Sequence, residues 1–275
     1  MTDLSTTSEN PETGVPSASP LLQRSVGEVV AEDYGRAAVL RRFGIDFCCG
    51  GGRPLGEACA ARHADPEEVT AALAAHDARS TRAGDAAPAD PADLVDHIER
   101  VHHAWVRENL PALLHFTSRV AKVHGDGWPE LRTIAERTHE LAVEMEDHMV
   151  DEEENLFPLI RSAHRDGGRG TDTDTAAALS AAALPAAALP APALPAPALP
   201  APALPATAFV ELEAEHEHAG ALMRELRELT SGFTPPESAC ATWKAAYAKL
   251  EEFEADLHRH VHLENNVLFP AVRGS

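Results

Sequence analysis

At 275 residues the chain is long enough for one well-packed core with a small second unit beside it. It sets 23 Lys and Arg against 44 Asp and Glu, a formal charge of -21, which argues against nucleic acid or an anionic membrane as partner, since those affinities rest on neutralising phosphates. Four cysteines, two of them adjacent, make no disulfide framework at this size and fit a reducing cytoplasm.

Residues 1 to 20 are rich in Ser, Thr, Pro and Glu, with neither the basic nor the apolar stretch of a secretory signal, and are expected to form a disordered tail. From 21 to 80, apolar residues at helical spacing predict a small helical N-terminal domain, broken by "FCCGGGRP" (47 to 54). Asp65 to Glu68, Asp-Pro-Glu-Glu, reads as a helix start, with proline in the first turn and acids at the positive end of the dipole. Cys48 and Cys49, followed by three glycines, predict an accessible turn able to bind metal or nitric oxide or to exchange thiols. Cys59 and Cys240, inside helical runs, are expected as small buried hydrophobes. Residues 81 to 93 predict a linker.

From Leu94 the pattern is helical to the end except over 176 to 206. There "LPAPA" recurs behind an Ala-rich lead-in, and proline every two or three residues forbids a continuous helix. A polyproline-II spacer is predicted rather than a membrane span. Around it lies a hidden repeat. "HMVDEEENLFPLIR" (148 to 161) aligns with "HVHLENNVLFPAVR" (260 to 273), sharing His, then Glu at +4, Leu-Phe-Pro at +8 to +10 and Arg at +13. His103 precedes the first copy by 45 residues and His216 the second by 44, which implies two matched helical hairpins.

Each helix has an apolar stripe running through those residues. His103 leads to Val106, Leu110 and Leu113; Ile134, Leu141 and Met145 lead through His148 and Glu152 to Leu159. The third stripe is Phe209, Leu212, His216, Ala219, Met223 and Leu226, and the fourth runs from Leu250, Phe253 and Leu257 through His260 and Glu264 to Val267 and Ala271. Four such helices predict an all-α, antiparallel four-helix bundle. Periodicity leaves His102 and His103 equivalent. His218, His258 and His262 lie off the stripes and are expected to be solvated; His124, His139 and His164 read as surface or loop residues, and Pro111 predicts a kink.

Burying one ionised carboxylate without a partner costs several kcal/mol, on the order of a whole domain's margin of stability, and this core buries two, Glu152 and Glu264. No Lys or Arg stands beside them on the stripes, whereas each helix brings a histidine. Six ligands of mixed nitrogen and oxygen character suit a pair of iron or manganese ions better than four-coordinate structural zinc.

On "DFCCGGG" (46 to 52), "HHAWVRENLP" (102 to 111), "HMVDEEENLFP" (148 to 158), "EAEHEHAG" (213 to 220), "TPPESACATWKAAY" (234 to 247) and "HVHLENNVLFP" (260 to 270), the chain resembles the iron-sulfur cluster repair di-iron proteins, which join a short N-terminal domain to a hemerythrin-like bundle. The resemblance implies four histidine and two bridging glutamate ligands, and counting back from Leu110-Pro111 it selects His103 over His102. The implied set is His103, His148, Glu152, His216, His260 and Glu264, holding two iron ions with an oxo or hydroxo bridge. It further implies cluster repair under nitrosative or oxidative stress, damaged iron-sulfur proteins as partners, nitric oxide or oxygen as ligands, and Cys48 and Cys49 as the thiol motif; a homodimer stays open. Hemerythrin-like gas binding and a di-iron nitric oxide reductase are the alternatives that use the same site. The Ala-Leu-Pro spacer and the N-terminal tail depart from the family pattern.

Overall fold

The computed structural model describes residues 19–80, 87–166 and 206–273. The expected tail up to residue 18, part of the linker (81–86) and all but the last residue of the spacer lie outside the described residues. Among those described, every regular element is helical, with one isolated antiparallel bridge between Ser25 and Pro54.

Four short helices open the chain: α1 (Val26–Glu32), α2 (Arg36–Arg42), α3 (Leu55–Ala61) and α4 (Pro66–Asp77). Their starts are written locally. The Ser25 hydroxyl accepts the N–H of Glu28 while the Glu28 carboxylate accepts that of Ser25, and Asp65 caps α4 ahead of Pro66. Val29, Val30, Leu40, Leu55, Cys59 and Leu73 form their shared core. Arg36 ties the ends together, donating to both oxygens of Asp77 at 2.9 and 3.0 Å and to Glu32 at 2.8 Å.

The larger unit comprises α5 (Pro91–His97), α6 (Ala104–His124), α7 (Glu130–Asp151), α8 (Phe157–Asp166), α9 (Ala206–Leu229), α10 (Ala241–Leu263) and α11 (Phe269–Arg273). Helix α6 packs on α7 and α10, and α9 packs on the other side of α7 and on α10, which closes the four-helix ring. Pro111 lies inside an unbroken α6.

Three π-helical turns interrupt the bundle helices, at Ile98–His103, Glu152–Leu156 and Glu264–Leu268. In the second and third, Phe157 and Phe269 donate to the carbonyls of Glu152 and Glu264, five residues back. Such a turn inserts one residue into the α repeat, and the apolar stripe shifts by one position beyond it. Ile160 and Val272 are buried where regular periodicity predicts Leu159 and Ala271; Leu159 and Val267 are half-buried and Ala271 is exposed.

The N-terminal unit docks on the third π-turn. Asn266 Nδ2 donates to the carbonyls of Cys48 (3.0 Å) and Phe47 (3.3 Å). Its side chain fills the space beside Gly27 and Gly51, where an added Cβ would lie 2.2 Å from its Oδ1. Docking overturns three expectations. His262 is buried against Phe47 and Tyr34 rather than solvated, His258 is half-buried with its ring 5.7 Å from that of Phe47, and Cys48 is buried while Cys49 is half-buried. Cys240 is also corrected: it caps α10 instead of lying within it, and is exposed, with His124 Nε2 3.3 Å from its sulfur.

Candidate metal centre

The three π-turns place the predicted ligands. His103 ends the first, Glu152 begins the second and Glu264 begins the third, each aimed into the bundle beside His148, His216 and His260. All six are buried. They form two overlapping groups, His103, Glu152, His260 and Glu264 on one side, His148, Glu152, His216 and Glu264 on the other, with both carboxylates common to the two. Glu152 Oε2 lies 3.3 Å from the Nε2 atoms of both His103 and His148; Glu264 lies 2.7 Å from His260 Nε2 and 3.1 Å from His216 Nε2.

Outer partners fix which ring nitrogen faces inward. Nδ1–H of His103 donates to Glu153 at 2.7 Å, that of His148 to Glu215 at 2.8 Å, and that of His216 to the Asn265 oxygen at 2.8 Å. Arg107 in turn grips both oxygens of Glu153. With Nδ1 committed as donor, each Nε2 presents a lone pair to the centre. The rings of Phe157 and Phe269, the repeated Phe at +9, stack on His103 and His216. His260 is held differently: its Nδ1 has no hydrogen-bond partner, and its ring lies 9° from parallel over His102, whose Nδ1 meets Asp256 at 2.8 Å. His102 is therefore outside the cluster, although it is buried and adjacent to His103.

These residues fit a metal. His148 and His216 both spend Nδ1–H outward, so their Nε2 atoms, 3.0 Å apart, repel unless a metal ion or a proton lies between them. His103 and His260 approach as closely, at 3.1 Å. Two imidazoles bound at about 2.1 Å to one ion stand about 3 Å apart. All four oxygens of Glu152 and Glu264 are buried without a hydrogen-bond donor, which a native core does not sustain without compensation. Burial opposes charge on Glu264, yet His260 and His216 hold its carboxyl well below the usual range. Burial likewise opposes charge on His148, yet Glu152 holds its imidazole well above its usual range, so a proton on that ring compensates the carboxylates where no metal does.

Cys48 and Cys49 stand beside this cluster rather than in it. The Cys49 thiol donates to the backbone carbonyl of His216 at 3.3 Å. Its neighbour, burial and Asp46 push the Cys48 thiol well up. A cavity of about 540 Å³ reaches His148 and His216 from outside, lined by Glu144, Asp147, Asp151 and Glu215. The outer partners escaped sequence reasoning, though signals existed: Glu153 and Asn265 both occupy position +5 of the repeat, and Glu215 and His102 each directly precede a ligand histidine.

Comparison with known proteins bears on the whole chain. Residues 22–77 match a domain of unknown function, DUF542, and residues 93–181 and 202–272 match the hemerythrin HHE cation binding domain; the second match breaks within the Ala-Leu-Pro repeat. The iron-sulfur cluster repair proteins YtfE of Musicola paradisiaca and of Pectobacterium atrosepticum are each 32% identical, over 92% and 91% of this chain and 97% of their own lengths. The iron-sulfur cluster repair protein ScdA of Staphylococcus haemolyticus is 30% identical over 89% of this chain and 95% of its own.

Proposed function

This chain belongs to the iron-sulfur cluster repair proteins that join a DUF542 domain to a hemerythrin HHE cation binding domain, and from that membership we propose that it restores iron-sulfur clusters damaged by nitrosative or oxidative stress. His103, His148, Glu152, His216, His260 and Glu264 would hold two iron ions, Glu152 and Glu264 being common to both ligand groups. The observation that carries this proposal is the pair of wholly buried carboxylates, shared between both ligand groups and lacking hydrogen-bond donors. Imidazole and carboxylate are donors suited to iron and free of the thiolates that would retain it strongly. Bound iron would supply the ions a broken cluster has lost and a position where nitric oxide can bind.

The protein's own groups do the rest. Glu153, Glu215 and Asn265 hold three imidazoles in the ligating tautomer, Phe157 and Phe269 cover the cluster, and the acid-lined cavity raises the local concentration of cations. That lining favours passage of a metal ion over simple gas carriage. Four free thiols support a reducing, cytoplasmic setting, and no helix among the described residues is long and apolar enough to cross a membrane.

The test combines metal analysis and Mössbauer spectroscopy with reactivation of a nitrosylated iron-sulfur enzyme. Two irons per chain and reactivation by the loaded protein are expected, with a Glu264→Ala variant inert. Equal reactivation by a metal-free Glu152→Ala/Glu264→Ala chain would refute the proposal.

A further inference from the structure

The turn after α2 gathers a second set of donor atoms. Cys48 Sγ lies 3.3 Å from Asp46 Oδ1 and 3.9 Å from Cys49 Sγ, and one donor atom from each residue falls within 4.8 Å of the others. Two thiolates at about 2.3 Å from a tetrahedral ion stand about 3.8 Å apart, and a thiolate and a carboxylate oxygen about 3.5 Å apart. The turn already has these spacings.

Adjacent cysteines seldom point their sulfurs to one place, and here the surroundings make them do so. Asp46 Oδ1 accepts the Cys48 backbone N–H at 3.0 Å, which folds the turn back on its own carboxylate. Asn266 grips the Cys48 carbonyl from the other side. Gly220 on α9 leaves room for the Cys49 sulfur, since an added Cβ there would lie 3.2 Å from Sγ.

We propose that Asp46, Cys48 and Cys49 form a separate site for one thiophilic divalent cation, such as ferrous iron or zinc. A cavity of about 630 Å³, lined by Asp46 and Cys49, leaves the fourth coordination position open to an incoming ligand. On binding, two S–H bonds break, both protons go to solvent and two metal–sulfur bonds form, with no change of oxidation state. Two thiolates and a carboxylate around a dication leave one net negative charge. Arg224, 3.9 Å from Asp46, and Arg53 and Arg62 in the same cavity wall offset it. The Cys49 contact with the His216 carbonyl puts this site on the same helix as the buried cluster. Its use as a staging point, where iron leaving nitrogen and oxygen ligands is taken up by sulfur before transfer, rests on the repair proposal; the site itself does not.

Cobalt(II) titration of the reduced full-length chain tests it, in a Cys240→Ser background that removes the exposed thiol near His124. Only thiolate ligation gives an intense near-ultraviolet sulfur-to-cobalt band, and the buried cluster contains no sulfur. A band saturating at one cobalt per chain is expected. It should persist in Glu152→Gln/Glu264→Gln, weaken in Asp46→Asn and vanish in Cys48→Ser and Cys49→Ser chains whose helical circular dichroism is unchanged. No band at cobalt saturation with both thiols titratable, or a band surviving in Cys48→Ser/Cys49→Ser, overturns the site. Loss of enzyme reactivation with the band intact counts against the repair proposal alone.

Discussion

Replacing Glu264 with methionine, similar in volume and uncharged, should lower stability without metal and lower it further with metal. Glu264 is fully buried and neither oxygen has a hydrogen-bond donor. Yet His260 and His216 hold its carboxyl well below the usual range, so the folded chain favours the ionised form, and removing one partner from a buried charge cluster costs about 3–5 kcal/mol. At about 2–4 °C per kcal/mol for a unit of this size, the metal-free variant should melt about 6–20 °C below the metal-free wild type. With iron at about 1,000 times its dissociation constant, the wild type gains about 4 kcal/mol by mass action, and the variant, missing a ligand common to both groups, gains little. The gap between the two melting temperatures therefore widens on metal loading, by about 8–16 °C. Differential scanning calorimetry of four samples, wild type and Glu264→Met with and without iron, measures it. An iron-dependent gain in the variant equal to that of wild type would show that Glu264 does not ligate. A metal-free variant as stable as the metal-free wild type would show that the imidazoles do not compensate the carboxylate.

Three further outcomes follow from named contacts. His102→Ala, which leaves His260 without the ring that orients it, should weaken iron binding about 10–100-fold, while His102→Phe retains affinity; competition with a chelator measures both, and equal affinity in the alanine variant refutes the positioning role. Asn266→Ala removes the two bonds that clamp the cysteine turn, worth about 1 kcal/mol each, and should raise Cys49 alkylation rates and amide exchange over residues 47–52; unchanged rates would mean that docking does not depend on this side chain. Glu144→Gln/Asp147→Asn/Asp151→Asn, neutralising the cavity mouth without touching a ligand or its hydrogen bond, should slow ferrous iron uptake in stopped flow at low salt without altering final stoichiometry, and an unchanged rate removes the steering role.

Helix starts and ligand spacings were written in the chain because they are local. Ser25 and Asp65 cap the helices that follow through bonds reaching two or three residues, and His at i with Glu at i+4 shares a face of any α-helix. The stripes held as far as each ligand; the duplicated segment named four of the six residues that converge, its upstream spacing pointed to His216, and His103 was separated from His102 only by the family resemblance. They failed one turn later. Each glutamate opens a π-turn, whose extra residue shifts the stripe by one, so Ile160 and Val272 replace Leu159 and Ala271 in the core.

Amphipathic repetition and buried acid beside imidazole were thus determined by the sequence alone, since both follow from the geometry of a single helix and the cost of isolated charge. Contacts between distant segments decided the rest. His262 and Cys48 are buried where the glycine-flanked turn, gripped by Asn266, packs on the bundle, and His102 stays outside the cluster with its ring against Asp256, 154 residues away in the chain. Local periodicity carries no term for surfaces that meet only after both units have folded.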